Sequence, residues 1–167
     1  AALDEMARDS GPRRLVAVQY PDLPEAVYYL AALHRYERYV ARRIRHLLAT
    51  PKHMPAMDAE ARIAAFEESH RFRLAEQQRL AVVQALRGGV TVITGGPGTG
   101  KTTIVRTILT ILDEHRVAYL LASPTGRAAK RLAETTGRRA ATLHRLLKWS
   151  PHDGKFAYNR DNPLKTT

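Results

Sequence analysis

The amino-acid sequence predicts an α/β fold built on a parallel sheet, with a small helical domain ahead of the sheet and a β-hairpin behind it. Three observations predict it. Val90-Thr91-Val92-Ile93-Thr94 reads as a short buried strand, and a glycine-rich turn follows it. Ile104, Val105, Ile108, Leu109, Ile111 and Leu112 then recur at helical spacing. A second apolar run, Val117 to Ala122, leads through another glycine-bearing loop into another helix, and its near-continuous hydrophobicity suits a parallel strand. Far ahead of both, Leu23, Val27, Leu30, Leu33, Val40, Ile44 and Leu47 keep a spacing of three or four.

Taken in order, the chain opens with a short helical pattern (Leu3, Met6, Ala7) and a Ser10-Gly11-Pro12 break. Leu15-Val16-Ala17-Val18 then has the composition of a strand. Asp22, with Pro24 and Glu25 behind it, is the expected N-cap of the longest helix. Arg35, Arg38, Arg42, Arg43 and Arg45 crowd that helix, as a solvated face or as a binding face. Pro51 and Pro55 bracket a loop, and Asp58 is placed to cap a helix carrying Ile63 and Phe66. Gln77 to Leu86 forms a further helix, stopped by Gly88-Gly89. The helix opened at Gly126 is stopped by Gly137, and Ala141 to Leu147 reads as one or two more helical turns. Trp149 and Phe156-Ala157-Tyr158 flank a His152-Asp153-Gly154-Lys155 turn, the pattern of a hairpin.

The chain has 167 residues, of which 44% are hydrophobic, enough for a packed core. No stretch approaches the roughly 18 apolar residues of a membrane span, and a signal-peptide core is missing from the N-terminus. The absence of cysteine excludes disulfides and thiolate metal sites, and suits a cytoplasmic location. The histidines of the N-terminal region, His34, His46, His53 and His70, have no ligand spacing. Net charge is +11, from 27 Lys and Arg against 16 Asp and Glu. That balance fits a polyanionic partner, although an arginine-rich composition produces it as well.

The chemistry concentrates at Gly95-Gly96-Pro97-Gly98-Thr99-Gly100-Lys101-Thr102-Thr103. The pattern G-x-x-x-x-G-K-[ST] between a strand and a helix is a nucleotide phosphate site. Glycines let successive N–H groups turn inward on phosphate oxygens, and the new helix aims its positive end at the same anion. Lys101 reaches the β- and γ-phosphates of ATP, and the Thr102 hydroxyl ligates Mg²⁺. In a parallel sheet, ligands gather at the carboxyl ends of strands. The loop bearing Ser123, Thr125, Gly126 and Arg127 is therefore either a second anion site or a plain strand-to-helix turn, and spacing does not separate the two.

Leu74-Ala75-Glu76-Gln77-Gln78-Arg79-Leu80-Ala81 resembles the Q motif of superfamily 1 helicases. Gly95 to Thr103 is similar to their motif I, and Ala122 to Ala129 to their motif Ia. Ala141-Thr142-Leu143-His144-Arg145-Leu146-Leu147 resembles the DNA-contacting motif that follows. Together they resemble the RecD-type helicases of the 5′-to-3′ branch, in their longer, self-sufficient form. Tyr29 to Glu37 is similar to the helical N-terminal domain of those enzymes, and Phe156 to Leu164 to their strand-separating hairpin.

The resemblance implies a RecA-like sheet of which the first half is present, with residues 1–72 as helical domain, 73–147 as motor domain and 148–164 as the pin. It implies that Gln78, or Gln77 in another register, reads the adenine edge. It implies that Gly96, Gly98, Thr99, Gly100, Lys101, Thr102 and Thr103 hold ATP and Mg²⁺. Thr125, Arg127, Thr142 and His144 are implied near single-stranded DNA, with 5′-tailed duplex DNA as the substrate. The acidic pair that such enzymes need is not spelled before Thr167, and Asp153 and Asp161 lie in polar turns. The expectation is accordingly an N-terminal fragment, inactive by itself, of an ATP-dependent DNA helicase of recombination and repair. The rivals are a different phosphate-loop ATPase and a non-catalytic basic DNA-binding module.

Overall fold

A computed structural model of the chain describes residues 14–50 and 57–164, in two compact units spanning 1–51 and 52–167. The helical pattern at Leu3 to Ala7, the Ser10-Gly11-Pro12 break and the Pro51–Pro55 loop lie outside the described residues.

In the first unit, strand β1 (Leu15–Val18) pairs antiparallel with β2 (Val27–Leu30), Leu15 opposite Leu30 and Val18 opposite Val27. Helix α1 (Ala31–Ala49) follows at once, and the Ala31 N–H closes onto the Arg14 carbonyl at 2.8 Å. The long helix thus starts nine residues after the expected Asp22 cap. Val27, Tyr28 and Tyr29 are β-branched and aromatic, and they find a matching apolar strand in Leu15–Val18. Pro21 and Pro24 serve the connection between the strands, which Gln19 braces by donating from Nε2 to the Leu23 carbonyl at 2.8 Å. Helix α1 buries no residue, and Leu33, Tyr36 and Val40 are more than half exposed.

The second unit holds the apolar core. Helix α2 (Ala59–His70) is capped by Asp58, whose carboxylate accepts from the Ala61 N–H. It packs with α3 (Glu76–Leu86) and α4 (Lys101–Glu114). Ile63, Val82 and Ile111, one from each helix, are fully buried, and Leu74, Leu86, Ile104 and Leu112 complete the cluster. Truncating such a residue to alanine costs about 2–5 kcal/mol. Residues 59–70, assigned from sequence to the helical N-terminal domain, are therefore part of the second unit's core.

Strand β3 (Leu121–Ser123) leads through Thr125 into α5 (Gly126–Thr136), which Gly137 ends in a left-handed conformation. Strand β4 (Ala140–Thr142) then runs parallel to β3, with Ser123 opposite Thr142. A short helix α6 (Leu143–Leu146) and the hairpin β5 (Trp149–Ser150) with β6 (Lys155–Phe156) follow. The α/β fold with a parallel pair and a terminal hairpin is present as expected, but the pairing differs in two places. Ala141 and Thr142, expected at the start of a helical segment, belong with Ala140 to the strand beside β3. Residues 90–94 have no ladder partner among the described residues, and Val92 is 80% exposed. A parallel strand exists only through its neighbours' hydrogen bonds, so composition alone did not reveal which segments would pair.

Candidate nucleotide and strand-binding site

The phosphate loop bends into α4 through Gly100, whose φ of +81° is a left-handed conformation that side chains with a Cβ resist. A Cβ at Gly100 would also collide with the Gln78 amide nitrogen, and one at Gly95 would sit 2.6 Å from the Thr99 hydroxyl oxygen. Those close approaches close the loop on itself. Lys101 Nζ donates to the Gly95 and Gly96 carbonyls, each at 2.6 Å, and the Thr99 hydroxyl donates to the Gly96 carbonyl at 2.9 Å. The lysine thus sits at the centre of the ring of backbone that would surround an anion. Thr102 is exposed and Thr103 half-buried in the first turn of α4.

Gln78 is held at both ends of its carboxamide. Its oxygen accepts from the Ala75 N–H at 3.0 Å, capping α3, and its nitrogen donates to the Thr99 carbonyl at 3.2 Å. Gln77 and Gln78 both line a cleft of about 600 Å³ that runs along residues 91–95 to Lys101. Among the described residues, no carboxylate lines this cleft. A second cleft, of about 270 Å³, is lined by Phe66, His70, Phe72, Thr103 and Arg106. The His70 ring stacks on Phe66 with centroids 4.1 Å apart. Sequence reading did not find these four partners of Thr103. Arg106 lies one turn along α4 itself, whereas Phe66, His70 and Phe72 come from α2 and its exit, and only packing brings those three to α4.

Thr125 and Thr142 occupy equivalent places. Thr142 ends β4 and Thr125 lies two residues beyond β3; each is the N-cap of the next helix, and each hydroxyl accepts from the N–H three residues on, Ala128 and Arg145 respectively. Because Ser123 stands opposite Thr142, the two loops lie side by side at the carboxyl edge of β3 and β4. Arg127 is exposed there without an ion pair among the described residues. His144, also exposed, contacts the hairpin: its ring lies 6.0 Å from Trp149 and 5.6 Å from Phe156.

Behind the loops, Asp113 at the end of α4 accepts from the Tyr119 hydroxyl at 2.7 Å and from Arg138 at 2.6 and 3.1 Å. Burial raises the Asp113 pKa, but the Tyr119 and Arg138 hydrogen bonds outweigh it and hold the carboxyl below its usual range. Glu67 follows the same pattern. Burial raises it, while the Leu74 N–H and Arg79 bring it down further than burial lifts it.

The sequence that carries this loop is similar to that of known proteins. The sequence profile of the AAA domain matches residues 78–167. The chain belongs to the AAA domain family. It is 37% identical over 161 residues to the ATP-dependent RecD2 DNA helicase of Deinococcus radiodurans, covering 96% of this chain and 22% of that protein. It is 43% identical over 115 residues to the RecBCD enzyme subunit RecD of Mycolicibacterium smegmatis, covering 53% of this chain and 20% of that protein. The ATP-dependent DNA helicase dda of Enterobacteria phage T4 is 38% identical over 60 residues, covering 35% of this chain and 14% of that protein. The resemblance to RecD-type helicases is thereby borne out. The chain spans about a fifth of the length of the RecD-type relatives it matches. Among the described residues, this AAA domain has no helix long and apolar enough to cross a membrane, and no group of three or more His, Cys, Asp or Glu that could hold a metal ion.

Proposed function

We propose that the chain is the nucleotide-gripping and strand-contacting part of a cytoplasmic, ATP-dependent DNA helicase that moves 5′ to 3′. The observation that carries the reading is the phosphate loop itself, a ring of backbone closed around Lys101 at the start of a core helix. An incoming triphosphate would take over the lysine from the Gly95 and Gly96 carbonyls. Gly96, Gly98, Thr99, Gly100 and Thr103 would supply the surrounding backbone and the positive helix end.

Thr102 offers a hard oxygen of the kind Mg²⁺ prefers. Magnesium so held would neutralise the phosphate charge that builds during transfer. Gln78 would read the adenine edge by exchanging its Thr99 bond for the base, with Gln77 as the neighbouring alternative. The cleft of about 600 Å³ that both glutamines line would receive the base.

Thr125, Arg127, Thr142 and His144 would line the path of a single strand, with hydroxyl, guanidinium and imidazole groups gripping it without reading its sequence. The net charge of +11 favours the same partner. Residues 148–164, the hairpin, would split the duplex sterically, while the helical region at the N-terminus forms a separate domain.

The test is unwinding by the whole polypeptide that carries this chain, with ATP and Mg²⁺, on duplexes bearing one single-stranded tail. Unwinding of 5′-tailed and not of 3′-tailed duplex is expected. Unwinding that starts only from 3′ tails would overturn the polarity, and tight DNA binding with no nucleotide-dependent unwinding would favour a non-catalytic DNA-binding module.

A further inference from the structure

Trp149 is the only tryptophan of the chain, and it is 38% exposed although it sits in a cluster of rings. Phe156, directly across the hairpin, packs against it with centroids 4.6 Å apart, and the His144 ring meets it edge-on. Lys148, just before it, has a φ of +51°, a conformation rare for a residue with a Cβ. That backbone turn carries the chain out of α6 and delivers Trp149 onto Phe156. Bonds from the Ala157 N–H to the Lys148 carbonyl and from the Tyr158 N–H to the Leu147 carbonyl, both at 3.1 Å, hold it there.

The strands of this hairpin are two residues each, too short to be stable alone. Packing explains why one side of the indole is covered. It does not explain why so much of a large apolar ring faces water, or why the neighbours are cationic. Arg145 is exposed one turn earlier, and Lys148 Nζ stands 5.2 Å from the centroid of the Tyr158 ring. An indole with 38% of its surface exposed, near Arg145 and Lys148 in the chain, suits the flat face of a nucleobase whose phosphates are held nearby.

We infer that Trp149 is a stacking platform for a base of single-stranded nucleic acid, continuing the path marked by Thr142 and His144. The inference rests on the strand-binding reading above. It differs from a steric pin, because it assigns a ring face at the base of the hairpin and not the reach of its tip. Phe156 acts here as a positioning residue that backs the indole.

The experiment uses the full chain and two oligomers of equal charge, an oligothymidylate of about twelve nucleotides, within the roughly 4–16 that one site covers, and an abasic deoxyribose-phosphate oligomer of the same length. Affinities come from the anisotropy of a dye on the oligomer, and the single tryptophan reports stacking by fluorescence quenching. Oligothymidylate is expected to quench Trp149 and to bind roughly tenfold tighter than the abasic oligomer, within the range of one base–aromatic stack. Trp149→Ala should bring oligothymidylate down to the abasic level and leave the abasic affinity unchanged, and Trp149→Phe should keep most of the difference. A hairpin that merely unfolds lowers both affinities together, so the ratio isolates stacking. A ratio that persists in Trp149→Ala, or a wild-type chain that binds both oligomers equally, would overturn the platform while sparing the strand-binding reading. A wild-type chain that binds neither would overturn both.

Discussion

Gly100→Ala is the sharpest probe of the phosphate loop, because the structure gives it two separable costs. The first is backbone strain: alanine at φ +81° costs about 1–2 kcal/mol. The second is steric. The new methyl group would occupy the place of the Gln78 amide nitrogen, so the Gln78 side chain must leave and give up its bonds to Ala75 and Thr99. At about 0.5–1.5 kcal/mol for each hydrogen bond, that adds about 1–3 kcal/mol. Gly100→Ala should therefore lower the stability of the chain by about 2–5 kcal/mol, summing the strain and the lost bonds.

Gln78→Ala alone removes the same two bonds and should cost about 1–3 kcal/mol. In the Gly100→Ala background those bonds are already gone, so adding Gln78→Ala should cost almost nothing. Urea unfolding of the four proteins, followed by circular dichroism, measures the cycle directly. Additive costs for the two substitutions would refute the contact between Gly100 and Gln78. A Gly100→Ala variant within about 0.5 kcal/mol of the parent, the spread of a neutral surface change, would refute the strain as well.

Three further outcomes follow from the same geometry. Lys101→Ala should abolish binding of ATP and of tripolyphosphate by calorimetry, yet leave nucleotide-free single-strand affinity nearly intact, because the strand contacts lie on other loops; equal loss of both would make the phosphate loop a DNA site. Replacing Pro151-His152-Asp153-Gly154 by a two-residue Asn-Gly turn keeps the Ser150–Lys155 and Trp149–Phe156 pairs and shortens the hairpin's reach. In the complete enzyme, ATPase activity on single strands should persist and unwinding should fall steeply, whereas unwinding at the parental rate would make the hairpin a packing element. Glu67 and Asp113 both have folded-state pKa values below their ordinary ones, so each contributes stability above the ordinary carboxylate range that is lost as pH falls through it, below about pH 4. Thermal melts from neutral to acid pH should show a shallower acid loss for Glu67→Gln than for the parent; parallel curves would remove Glu67 from the acid response.

What the sequence disclosed, it disclosed through local rules. The phosphate loop needs glycines at fixed offsets from a lysine. Asp58 and Thr125 cap helices with their own side chains, and Gly137 ends one with a positive φ, all within a few residues. The hairpin was legible for the same reason, since Gly154 donates back to Ser150 across four residues. The failures were all questions of partnership. Val27 to Leu30 fits a helical stripe and a strand equally, and only pairing with Leu15–Val18 decided. Ile63 marks an apolar face but not whose core it enters. Gln78 has the right chemistry for an adenine edge, and nothing in its spacing shows that both ends of its amide are engaged. The cleft around Phe66, His70, Phe72 and Arg106 depends on two helices meeting, for which the sequence holds no local sign.

The unladdered stretch at residues 90–94 has a consequence at the bench. Its β-branched side chains, and backbone groups in no ladder among the described residues, make an edge of the kind onto which another copy can add a strand. With Val92 80% exposed in its middle, the edge has neither a charge nor a proline to discourage such stacking. The positive net charge keeps copies apart in dilute salt, and screening at high ionic strength removes that protection. Solutions of this chain therefore hold best at low salt and low concentration, and a lysine at position 92 is the gatekeeper that would protect them.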